Sequence, residues 1–139
     1  SALIRSWQAI GRAAGMLELS RQIWLWVFTP RFYAAHPETF AELECQVTES
    51  PYGQTVEAFC DQAEACLSHI ALEEVAQIAV PTLITVGDTD ILTPPAHARA
   101  LHDRIPESRL HVWPQMGHAP FWEIPDDFNR LNREFLEAH

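Results

Sequence analysis

An aspartate and a histidine in the second half of the chain have the surroundings of proton-transfer groups. They occur as Gly87-Asp88-Thr89-Asp90 and Gly117-His118-Ala119-Pro120, each in a loop directly after a strand-like run, 82–86 and 110–113. That arrangement is two thirds of a nucleophile–base–acid triad, in which a carboxylate orients an imidazole and the imidazole moves the proton of a nucleophile. The third member is missing. No G-x-S-x-G turn occurs in the 139 residues, and none of Ser6, Ser20, Ser50, Ser68 or Ser108 has the flanks of one.

The elements that must position these groups change character near Val80. Upstream, the apolar residues recur at helical spacing. Leu3, Ile4, Trp7 and Ile10 share a face, and Gly11 and Gly15 interrupt the run. A second helix is predicted over 17–28, with an unusually aromatic face that includes Trp24, Trp26 and Phe28. Thr29 and Pro30 open a short turn, and Pro37 starts a helix with Phe40, Leu43 and Val47 inward. After the break at Ser50-Pro51-Tyr52-Gly53, a helix over 54–69 buries Val56, Phe59, Ala63 and Leu67.

Downstream, 81–87 is a short, nearly continuous apolar run ended by glycine, which suits a strand covered on both faces. Thr93 as N-cap and Pro94 begin a helix to about residue 104, with Ala98 and Leu101 inward. Residues 109–113 form a second strand. Pro125-Asp126-Asp127 opens a last helix whose Phe128, Leu131, Phe135 and Leu136 share a face. The expected architecture is therefore α/β: an all-helical region, 1–79, and a strand-helix-strand-helix region, 80–139, with parallel strands.

Composition narrows the functional classes. A formal net charge of -10 disfavours nucleic acid and anionic lipid, which long-range repulsion would keep away. The longest apolar run, 23–28, is only about one and a half helical turns, too short to span a membrane. No signal-peptide pattern precedes the first helix, and a cytoplasmic location is expected. Cys45, Cys60 and Cys66 fit neither a zinc site nor a disulfide framework, which predicts buried free thiols in a reducing compartment. His97 and His102 lack metal-ligand spacing, so no metal site is expected.

Two parallel strands make no stable sheet alone, and a free edge on an apolar strand invites pairing. The strand pair is expected to belong to a larger sheet. Its partner would be a missing N-terminal half of the fold, or a second copy through self-association.

The stretch from Pro81 through Gly87-Asp88-Thr89-Asp90-Ile91-Leu92-Thr93-Pro94-Pro95, followed by Gly117-His118-Ala119-Pro120-Phe121-Trp122-Glu123-Ile124-Pro125, resembles the closing part of the α/β-hydrolase fold. The resemblance covers essentially the whole chain. It implies the last two parallel core strands with their helices, preceded by a helical lid, as in the esterase, enol-lactonase and haloperoxidase-like branch. The earlier strands and the nucleophile would then precede Ser1. Asp90 takes the acid position, accepting the Nδ1 proton of His118; His118 is the general base and then the acid for the leaving group. Asp88 reads as a solvated or turn-stabilising carboxylate, and Glu123 as structural, binding loop amides or a helix start.

For the aromatic run, Trp24, Trp26, Phe28, Phe32 and Tyr33, a core role competes with a lining role in an apolar pocket under the lid. In the lining reading Trp24, Phe28 and Phe32 join Ile91, Leu92 and Phe121 around a small apolar ester or lactone. The resemblance implies a hydrolase of esters or lactones that requires no cofactor, in which this chain supplies the acid and the histidine and is inactive in isolation. Carbon–carbon bond hydrolases stay open, and so do haloalkane dehalogenases, which differ from it at the nucleophile. A non-catalytic relative that binds a ligand or a protein is the alternative from another class.

Overall fold

The computed structural model describes residues 2–139. They form two compact units. The first comprises the helices up to Leu25 with Pro30–His69, and the second joins Trp26–Thr29 to Ile70–His139.

In the first unit, α1 (Ala2–Val27) is two helical arms meeting at Gly15, whose φ of 83° and ψ of -179° leave the helical region. An L side chain is strained at that φ, so the break expected there depends on glycine. Gly11 stays inside the first arm, and its role is packing. A Cβ on it would lie 3.1 Å from Leu19 Cδ2 and 3.5 Å from Val56 Cγ1. Leu19 is fully buried. Helices α2 (Pro30–Ala35) and α3 (Pro37–Glu49) each begin on a proline, which suits a first turn with no N–H partner. Helix α4 (Val56–Ser68) is capped by Thr55, whose hydroxyl accepts the Ala58 N–H at 3.1 Å.

Aromatic rings fill this unit. Phe40 lies 6.2 Å from Trp24, 6.3 Å from Phe32 and 3.9 Å from Tyr33, ring centre to ring centre. One buried amide ties α1 to α4: Gln8 donates to Glu64 Oε1 at 2.9 Å and to the Cys60 carbonyl at 3.3 Å. The thiols depart from expectation. Cys60 is buried, but Cys45 and Cys66 are exposed. Both lie off the inward stripes of their helices, which Leu43 and Val47, and Ala63 and Leu67, occupy.

In the second unit, β1 (Thr82–Gly87) and β2 (Ser108–Trp113) pair in parallel, with Thr82 opposite Ser108 and Gly87 opposite Trp113. The sheet has these two strands among the described residues, and each has an unpaired edge. Helix α5 (Pro95–His102) crosses between them and packs on both, burying Ala98. The short α6 (Pro120–Glu123) leads into α7 (Pro125–Glu137). Phe128 of α7 lies 6.2 Å from Trp113 and 6.0 Å from Phe121. Leu131 is buried, whereas Leu136, expected inward, is 73% exposed. Leu136 stands one residue past Phe135, about 100° around the helix from the stripe.

The strand ends come together through Gly87. A Cβ there would overlap the carbonyl oxygens of Met116 and Gly117, which are backbone atoms that cannot rotate away. We therefore expect Gly87→Ala to destabilise the second unit by roughly 3 kcal/mol. A urea unfolding curve measures this, and an unchanged midpoint would contradict the packing described.

Candidate active site

The site is assembled by the loops that leave the two strands. Asp88 N–H donates to the Trp113 carbonyl at 2.9 Å. The Thr89 amide and hydroxyl both donate to the Met116 carbonyl, at 3.1 and 2.7 Å. Gln115 turns the second loop with a φ of 60°, the left-handed region. These bonds bring residues 28 positions apart into contact: His118 Nδ1 lies 2.9 Å from Asp90 Oδ2.

Asp90 is 5% exposed, yet each carboxylate oxygen is satisfied. Oδ1 accepts the Leu92 and Thr93 amides at 2.8 and 3.0 Å, and Oδ2 accepts the Thr93 hydroxyl at 2.8 Å as well as His118. Burial pushes the carboxyl's pKa up. The donors from Thr93, His118 and Leu92 together outweigh it and hold the group below its usual value. An ionised carboxylate only accepts hydrogen bonds, so Nδ1 of His118 carries the proton of the neutral ring and Nε2 is left basic. The His118 side chain is about one third exposed, so the ring is reachable.

Thr93 departs from its expected role. Helix α5 starts at Pro95 with Pro94 in the capping position, and the Thr93 amide and hydroxyl both serve Asp90. An Asp-x-x-Thr spacing after a strand is the one sequence signal for such a turn.

A cavity of about 240 Å³ opens beside the pair, lined among others by Thr85, Thr93, Pro120, Phe121 and Phe128. Phe121 thus stands with Asp90 and His118, half exposed. Ile91 is exposed beside Asp90, and Leu92 contributes its amide. Phe28 is buried, edge-on to Trp122 at 5.6 Å. Within the helical unit, Phe32 is buried against Phe40 and His36, and Trp24 lines a separate open hollow of about 750 Å³ with Met16, Leu43 and Tyr52. Among the described residues no cluster of three or more His, Cys, Asp or Glu could hold a metal ion, and no helix is long and apolar enough to cross a membrane.

Sequence reasoning about the pair did not foresee what holds the histidine loop. His118 N–H donates to the Val27 carbonyl at 3.1 Å, and Glu123 Oε1 accepts the Thr29 amide at 2.7 Å. Glu123 has the structural role expected of it, at an amide beside a helix start, but the Thr29 partner and the Val27 bond carry no local signal.

No family model matches the chain. The chain is similar to the pimeloyl-[acyl-carrier protein] methyl ester esterase of Neisseria meningitidis, 32% identical over 121 residues, covering 76% of this chain and 46% of that protein. It is also similar to the 2-hydroxy-6-oxo-6-phenylhexa-2,4-dienoate hydrolase of Burkholderia cepacia, 42% identical over 60 residues, covering 43% of this chain and 21% of that one. In structure it matches the enol-lactonase of Burkholderia xenovorans with a TM-score of 0.86 at 22% identity, covering 98% of this chain and 50% of that one. The chain belongs to the α/β-hydrolase fold superfamily. It carries the last two parallel strands of that fold with a preceding helical region, and spans about half the length of the solved structures it matches.

Two outcomes follow from the Asp90 geometry. Thr93→Val removes a donor from a buried carboxylate and should cost about 1–3 kcal/mol in chemical denaturation. Because the folded carboxyl titrates below its ordinary value near 3.9, its stabilisation is complete above that value and is lost as pH falls through the lower folded value. Acid titration of stability should therefore show a fall below about pH 4 that Asp90→Asn reduces; an identical acid limb in the variant would contradict this.

Proposed function

We propose that this chain supplies the acid, Asp90, and the base, His118, of a serine-type hydrolase acting on carboxylic esters or lactones. The observation that carries the reading is the 2.9 Å contact between His118 Nδ1 and a buried, fully hydrogen-bonded carboxylate. Such an arrangement fixes the tautomer and leaves Nε2 free to take a proton from a nucleophile. The nucleophile and the oxyanion-hole donors are contributed by residues outside this chain. A serine attacks the carbonyl as His118 takes its proton, and His118 returns that proton to the leaving alcohol. Water, deprotonated by His118, then releases the acyl group.

An ester substrate is supported by the esterase relative, whose similarity extends over three quarters of this chain, against less than half for the dienoate hydrolase. Small apolar substrates suit the Phe121 and Phe128 wall of the cavity beside the pair, with exposed Ile91 adjacent. Residues 1–79 act as the lid and 80–139 as part of the core. The unpaired sheet edges call for further strands, from the rest of the fold or from a second copy. Three unpaired cysteines, two of them exposed, favour work in the reducing cytoplasm.

In the protein that carries this chain, His118→Ala should lower kcat for p-nitrophenyl ester hydrolysis by roughly a thousandfold or more, and Asp90→Asn by a comparable order. Retained activity in a folded His118→Ala variant would refute the mechanism. The 139-residue chain, purified separately, should show no hydrolysis that depends on His118 and should self-associate in sedimentation. A monodisperse monomer with cooperative unfolding would count against the need for further strands.

A further inference from the structure

The chain between α1 and α2 meets the histidine loop through its backbone. Val27 offers a carbonyl at the end of α1, and Thr29 an amide just before Pro30. The histidine loop takes up both. His118 N–H donates to Val27 O at 3.1 Å, and Glu123 accepts the Thr29 amide on Oε1 and the Thr29 hydroxyl on Oε2. Between these bonds the Phe28 ring stands edge-on to Trp122. Gly117 also comes close, since a Cβ there would lie 3.2 Å from Val27 O. Three consecutive residues, Val27 to Thr29, thus hold positions 118, 122 and 123. They pack with the second unit although the helices on either side of them pack in the first.

We infer that Glu123 is a positioning residue for His118, acting through Thr29 to fix the Val27 carbonyl that anchors the histidine's own amide. The inference rests on the reading of His118 as a base. The carboxylate makes charge-assisted bonds to a neutral amide and hydroxyl, which are stronger than neutral pairs. Without it the 27–29 segment keeps its chain connection but not its register on the loop. The imidazole would then sample positions away from Asp90 Oδ2, and a displacement of about 1 Å there is enough to slow proton transfer.

The test uses the intact protein that carries this chain, in Glu123→Ala, Thr29→Val and Thr29→Ser forms. Hydrogen exchange at the His118 amide should accelerate about tenfold in Glu123→Ala, in keeping with loss of one hydrogen bond, and less in Thr29→Val. Thr29→Ser, which keeps the hydroxyl, should stay near the parent. kcat should fall in the same order with KM little changed. Unchanged exchange at His118 in the folded variants would overturn the inference. So would acceleration shared equally by the Val86 and Val112 amides, because that reports general loss of stability. If Glu123→Ala fails to fold, Thr29→Val against Thr29→Ser decides the same point. Exchange needs no turnover, so the two readings fail separately. An active His118→Ala enzyme would remove the base role, whereas an indifferent His118 amide would remove the role of Glu123.

Discussion

The contact between the ends of the two strands, where Gly87 meets the Met116 and Gly117 carbonyls, sets the geometry of everything that follows them. Backbone on backbone at that separation leaves no space for a side chain. Thr89 then donates twice to Met116, and the two loops become one joined structure. Asp90 and His118 inherit their separation from this joint. Their contact follows from a main-chain arrangement, and the side chains need only ordinary reach.

A buried carboxylate is unfavourable unless its lone pairs are used. Asp90 meets that condition mainly with its own neighbours, the Leu92 and Thr93 amides and the Thr93 hydroxyl. Turn and carboxylate are therefore one device. The same two residues that follow Asp90 in the turn after β1 also favour the ionised carboxyl. His118 brings the fourth bond and meets an acceptor already fixed in direction. The carboxylate is thus preorganised to receive the imidazole.

Much of this was readable from residue order. The aspartate and histidine loops, strands over about 81–87 and 109–113, the break at Gly15 and the proline starts of α2, α3 and α7 all follow from local patterns. The errors have local causes too. Thr93 has the composition of a helix cap, but an acidic neighbour three residues earlier competed for its hydroxyl and won. Residue type favours an inward place for Cys45 and Cys66, whereas helical phase turns them outward. Gln8 lies next to the apolar stripe, and its burial depends on partners 52 and 56 residues away that no local pattern marks.

The division has a physical reason. Turn chemistry, helix starts and the alternation of apolar residues act within a few positions, so the sequence alone carried the element types, the superfamily resemblance and the identity of the two titratable groups. Bonds between residues far apart in the chain depend on how the elements pack. Only the tertiary structure decided that Asp90 and His118 meet at 2.9 Å, that Glu123 reaches back 94 positions to Thr29, and that the Val27 carbonyl receives the His118 amide.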